Sequence, residues 1–181
     1  MKKLADSLTG SRFVLASLIT WTASTSSPET GILALVLLTL LAWTSDVLDG
    51  PLARRAAVPR QTWLGAHDLE ADLSLVLALV FSMAMWRGAP AVLLAGIILA
   101  GVLGRLVFHS LAPVKLGMGL VYGLFIIMVW RIKPVLGGTI LAWIAVAALL
   151  NSSRARAQVT IFLSECRKIT RDHAQGYPRK S

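Results

Sequence analysis

Residues 31–54 read GILALVLLTLLAWTSDVLDGPLAR: fifteen positions without a charge, followed by Asp46, Asp49 and Arg54. A run of this kind is long and apolar enough to cross a bilayer as a helix, which takes about 20 mostly apolar residues. It then ends in two carboxylates. A carboxylate beside hydrocarbon costs roughly 2.5 kcal/mol or more on insertion scales unless a cation, water or partner compensates it. Thirteen residues separate Arg54 from a second pair, Asp68 and Asp72, again at the edge of an apolar run. Five of the nine acidic residues of the chain lie between positions 46 and 72. Their clustering singles out this stretch for function.

Outward from it, the composition is that of an integral membrane protein. The chain has 181 residues, 56% of them hydrophobic, and a mean hydropathy of +0.70. Apolar runs between breakers predict an all-α polytopic fold of six transmembrane helices, at about 11–26, 31–53, 64–86, 90–109, 114–131 and 134–151. The first is diluted by Ser and Thr. Pro28, Pro90, Pro113 and Pro134 stand at the predicted boundaries, where helices begin or end. Residues 1–10 read as a short polar segment at the interface. No small-residue cleavage site follows Met1-Lys2-Lys3-Leu4, so the first helix is expected to be retained. Residues 1–152 form one membrane domain in this reading, and 153–181 a basic cytoplasmic tail. Val159, Phe162, Leu163 and Ile169 in the tail have the spacing of a helix lying on a membrane surface. Cys166 has no second cysteine to pair with.

The basic residues orient the chain. With the N-terminus inside and an even number of spans, 15 of the 18 Lys and Arg collect on the cytoplasmic side, among them Arg12, Arg54, Arg105 and Lys115. Only Arg87, Arg131 and Lys133 fall opposite. This asymmetry predicts N-in and C-in, and accounts for the net charge of +9 through topology and anionic headgroups without nucleic acid. Glycines at 96, 101 and 104 and at 117, 119 and 123 allow close helix packing or a dimer contact.

Asp46 and Asp49 are three apart and Asp68 and Asp72 four apart, so each pair shares a helix face. The two helices are neighbours joined by a short basic loop. Their faces are expected to meet near the inner membrane surface. Carboxylates that converge need cations to stay ionised, and all-oxygen ligands suit Mg2+, Mn2+ or Ca2+ rather than Zn2+. Pairs of such ions recur in displacement at phosphorus.

The pattern Asp46-x2-Asp49-Gly50-x2-Ala53-Arg54, then Gly65 and Asp68-x3-Asp72, resembles the signature of the CDP-alcohol phosphatidyltransferases. Leu8-Thr9-x2-Arg12 resembles the start of that family's first helix. The glycine departs from the pattern: ten residues separate Arg54 from Gly65 and two separate Gly65 from Asp68, so either the glycine is shifted by one position or Leu64 occupies its place. The resemblance implies that Asp46, Asp49, Asp68 and Asp72 bind two divalent ions, Mg2+ or Mn2+, and that Asp72 is also the general base. It places the nucleotide at Gly50, Ala53, Arg54 and Gly65. It further implies a CDP-linked lipid donor, a polar alcohol acceptor, a homodimer, and phospholipid biosynthesis in a bacterial or archaeal inner membrane with the site facing the cytoplasm.

Arg105 and Lys115 flank the cytoplasmic turn between the fourth and fifth spans, and are candidates for an acceptor phosphate. The acceptor reading is glycerol 3-phosphate, with inositol phosphate or another alcohol as the alternative. Leu73 stands where glycerophosphate-using members often carry Lys. A different class of function, a small cation transporter using the aspartates, would place them near the bilayer midplane, whereas here they stand at helix ends.

Overall fold

The computed structural model describes residues 2–54 and 68–150, and among these it contains six α-helices and no strand. They are α1 (Lys2–Thr25), α2 (Pro28–Arg54), α3 (Asp68–Met85), α4 (Ala91–Phe108), α5 (Ala112–Ile132) and α6 (Pro134–Leu150). The predicted spans correspond to them within a few residues, with one difference at the start. The polar leader is not a separate element: residues 2–10 are the first turns of α1. Nothing between Lys2 and Thr25 breaks the helix, since the chain has no proline there and its one glycine, Gly10, is tolerated. The basic tail from residue 151 onward and the loop carrying Gly65 and His67 lie outside the described residues.

Proline punctuates the bundle as the sequence suggested. Pro28 and Pro134 open α2 and α6, Pro90 precedes α4, and Pro113 lies in the first turn of α5. At these positions the missing N–H has no intrahelical partner to lose. The turn from α4 to α5 closes through His109, whose left-handed backbone (φ 51°) lets its N–H reach Arg105 O at 2.9 Å.

α1 packs against both α2 and α3, and α5 packs against α3, α4 and α6. α2 also touches α5 and α6, which joins the two groups. The far end of the first group is tied by Trp86, just past α3. Its indole N–H donates to Ala23 O (3.1 Å) and Ser26 O (3.0 Å) at the end of α1. α1 and α3 therefore run in the same direction, with α2 antiparallel between their ends, so the start of α1, the end of α2 and the start of α3 share one end of the bundle.

Three helices are long and apolar enough to cross a membrane by length and composition: Pro28–Leu48, Ala91–Phe108 and Ala112–Ile132. Pro134–Leu150 is a shorter apolar helix. α3 carries three acids in its first five residues and α1 is rich in hydroxyls, which lowers their hydropathy. In α1 these hydroxyls bond backward to the helix itself: Ser17 to Phe13 O, Thr20 to Ala16 O, Thr22 to Leu18 O, Ser24 to Thr20 O and Thr25 to Trp21 O. Such bonds let a polar side chain sit in an apolar setting. The outer faces are largely apolar. On α2, Leu33, Leu37 and Leu41 form an exposed stripe one helical turn apart, the pattern of a surface that meets lipid rather than water.

Candidate active site

Each of the first three helices has a buried stripe that ends in a charge. On α1 the buried residues are Arg12, Ala16, Ile19 and Ala23, at the spacing of one helix face. On α2 the face runs Ile32, Leu35, Thr39, Ala42, with Asp46 in the next position. On α3 it runs upward from Asp72 through Leu75 or Val76, Leu79 and Met83. The core thus stacks hydrocarbon on hydrocarbon until the shared end, where one cation and two carboxylates occupy the last layer.

They are in contact. Arg12 is fully buried, and its Nη1 lies 2.5 Å from Asp72 Oδ1 and 3.4 Å from Asp46 Oδ1. Its Nη2 faces Thr9 Oγ1, one turn earlier on α1, at 3.5 Å. The carboxylates remain open: the Asp46 side chain is 49% exposed and that of Asp72 35%. One guanidinium between two carboxylates leaves a formal excess of negative charge in this trio, and it sits at the end of an apolar span. Asp46 falls within the last turn of the apolar run Pro28–Leu48, a depth at which a carboxylate can reach the interface.

Beneath Asp46 lies an aromatic layer contributed by three helices. Trp43 of α2 meets Tyr122 of α5 edge to face, with ring centroids 5.2 Å apart at 86°. It lies 5.8 Å from Trp143 of α6, tilted at 40°. Edge-on contacts of this kind bring the positive rim of one ring to the negative face of another. Tyr122 is near enough to Asp72, Asp46 and Arg12 to interact with them electrostatically. These rings bring α5 and α6 against α2 one turn before Asp46.

Among the sequence-predicted residues, the structure brings Asp46 and Asp72 together. Asp49 lies one turn beyond Asp46 on α2, followed by Gly50, Ala53 and Arg54 in its last turns, and Asp68 opens α3. The side chains of these residues lie outside the described set, as does Gly65 entirely. Arg105 and Lys115 are at the same end of the bundle, on α4 and α5, with exposed side chains and no ion pair to any described residue. Arg12 was counted in the sequence among the topological positive charges. The structure corrects its role, because it is buried and ion-paired. A signal for it existed: an arginine followed by Phe13-Val14-Leu15, in a helix with no other charge beyond Asp6, is costly unless paired. Tyr122 and Trp143 had no such signal, since aromatic residues are common in membrane helices.

The donor chemistry fits divalent cations. A cation already fills the gap between Asp46 and Asp72, the ligands are hard oxygens, and both carboxylates retain exposed surface. Among the described residues no three of His, Cys, Asp and Glu form a set that could hold a metal. Asp49 and Asp68 are the residues the pattern would add.

A model of the CDP-alcohol phosphatidyltransferase family matches residues 2–150, all six helices. The chain belongs to this family. No curated protein and no solved structure matches it significantly. As a family member it is an integral membrane enzyme of the class that transfers a phosphatidyl group from a CDP-alcohol to an alcohol acceptor. The match covers the Arg12, Asp46 and Asp72 contacts as well as the aspartate pattern, and leaves the cation-transporter alternative without support.

Proposed function

We propose that this family member transfers the phosphatidyl group of CDP-diacylglycerol to the hydroxyl of a phosphorylated alcohol, glycerol 3-phosphate, and releases CMP. The observation that carries this reading is the convergence of Asp46 and Asp72, from different helices, at one end of an apolar bundle. In the proposal Asp46, Asp49, Asp68 and Asp72 hold two Mg2+ or Mn2+ ions. When bound, such ions neutralise charge on the pyrophosphate oxygens and on departing CMP. Gly50 and Ala53 leave room for the nucleotide beside α2, and Arg54 and Gly65 complete that subsite.

Asp72 is the proposed base. An alcohol hydroxyl has a pKa far above 7 and needs a carboxylate within hydrogen-bond reach to take its proton as it attacks. Asp72, which Arg12 contacts, takes that proton. The acceptor oxygen then bonds to the phosphorus that carries the diacylglycerol, and the bond from that phosphorus to the bridging oxygen of CMP breaks. Donor and product keep their acyl chains in the bilayer, while the polar acceptor arrives from water. Arg105 and Lys115 bind the acceptor phosphate in this scheme. The site faces the cytoplasm, with both termini inside, and the protein works as a homodimer.

The decisive assay follows CMP release by purified protein from CDP-diacylglycerol with Mn2+ or Mg2+ and a panel of alcohols. Release is expected with glycerol 3-phosphate. Release with inositol phosphate alone would reassign the acceptor. No release above the Asp72→Asn background with any acceptor would overturn the transferase reading for this chain.

A further inference from the structure

We infer that Tyr122 is a positioning residue: set edge to face against Trp43, it fixes how far Lys115 stands from the aspartates, and so the length of acceptor alcohol that bridges them. The inference rests on the proposed role of Lys115 at the acceptor phosphate and deepens it.

Lys115 and Tyr122 both belong to α5 and lie two helical turns apart, so they share a face and are separated by about 10 Å along the axis. That face looks toward the site, because Tyr122 is near enough to Asp72 and Asp46 to interact with both. Lys115 stands on it two turns closer to the end of the bundle where the aspartates lie, with an exposed side chain. Little else ties this part of α5 to the first three helices. Between Ala112 and Val121 no residue of α5 is buried. Among the described residues, no atom lies within 4 Å of where a Cβ of Gly119, one turn from Lys115, would stand. The start of α5 does meet α4, with Pro113 against Gly101 and Gly104, but α4 belongs to the same half of the bundle. Tyr122 therefore stands at the site end of the buried stripe Val121, Phe125, Met128 and Val129.

The partner ring is placed to match. Trp43 lies on α2 one turn before Asp46, and its second aromatic neighbour is Trp143 of α6. A change in the separation of Trp43 and Tyr122 thus moves the start of α5 relative to the turn that carries Asp46. Large rings with few rotatable bonds suit such a spacer, because they hold a distance that a flexible aliphatic chain would not. In the proposed reaction the acceptor is held at both ends, its hydroxyl at Asp72 and its phosphate at Lys115. Its length must then match the span between them. Rates respond steeply to a mismatch of this kind, since a misplacement of about 1 Å can cost about 100-fold. A tyrosine that only packs would lower stability or turnover for every acceptor alike, so selectivity for length separates the two roles.

The test follows CMP release by the full chain in lipid nanodiscs, from CDP-diacylglycerol with Mn2+, and compares glycerol 3-phosphate with hydroxyalkyl phosphates of two, three and four carbons. Selectivity is read as the ratio of kcat/KM values, or of inhibition constants against glycerol 3-phosphate for a compound that does not turn over. Wild type is expected to favour one length. Tyr122→Leu should reduce that preference by about 10-fold or more, the worth of one methylene in a fitted site, with KM for the CDP-linked donor unaltered. Tyr122→Phe keeps the ring and should keep the preference. A Tyr122→Leu protein as selective as wild type, whatever its turnover, would show a tyrosine that only packs and overturn the inference. A wild type indifferent to length would do the same. If Tyr122→Leu does not fold, Trp43→Phe decides, since it shrinks the ring that Tyr122 meets: a loss of selectivity supports the spacer, and wild-type selectivity refutes it. Lys115→Ala tests the underlying reading separately. It should raise KM for every phosphorylated acceptor, and an unaltered KM would remove the phosphate from Lys115 and the inference with it.

Discussion

The two halves of the bundle bury different things. All the buried polar side chains among the described residues, Thr9, Arg12, Thr39, Ser45 and Ser82, belong to α1, α2 and α3. The second half buries only apolar residues and glycines, and its outer helices bury few: Leu94 and Gly101 on α4, Gly137 and Ile140 on α6. Membrane helices associate without a hydrophobic drive between them, so polar contacts and close packing must supply it. α1 to α3 use both, and that group carries the charged site. α4 to α6 leave most of their surface exposed and meet the first group near the site through Tyr122.

The largest expected effect tests the first half as machinery. Asp72→Asn should lower CMP release at least about 100-fold, the range for loss of a general base, while a helical circular-dichroism spectrum stays unchanged. Arg105→Ala, in the second half, should instead raise KM for the acceptor and leave KM for the CDP-linked donor unaltered. If both variants lose turnover alike, the division of labour is broken.

The next effects concern stability, read by unfolding in detergent. Leu79→Ala, fully buried on α3, should cost about 2–5 kcal/mol. Leu149→Ala on α6, 76% exposed, should stay within about 0.5 kcal/mol. Gly104→Ala probes the seam within the second half. A Cβ there would meet Pro113 Cβ at 2.6 Å, forcing α4 from α5 at a cost of about 1–3 kcal/mol. Trp86→Phe keeps the ring and removes the indole donor to Ala23 O and Ser26 O, worth about 1 kcal/mol. It is the smallest loss expected apart from that of Leu149→Ala, and it would report on how firmly the first group is tied at its far end.

Helix number and limits were readable because their causes are local. Apolar length and four prolines set where each helix stops, and no distant residue has to be known. The start of α1 was misjudged for the same reason. Polar residues in 1–10 suggested an interfacial segment, yet nothing in them interrupts a helix that continues into Arg12 and the buried stripe beyond it. Small residues were legible only as a tendency. Gly101 and Gly104 do face the start of α5, whereas Gly96, Gly119 and Gly123 have no atom within 4 Å of where a Cβ would stand. Which face of a helix meets a neighbour depends on the whole bundle.

For the site, the sequence alone marked the four aspartates, because spacings of three and four put each pair on one face whatever the rest of the chain does. It also marked the family, through the residues between them. The tertiary structure alone decided what lies behind those carboxylates. Arg12 is separated from Asp46 by 34 residues and from Asp72 by 60, and at such distances a pattern of charges carries no geometry. In the sequence it was one of 15 inward-facing cations; in the fold it is the one that closes three buried stripes. Packing turned a topological charge into a contact, since a cation buried between helices must find its counter-charges on them.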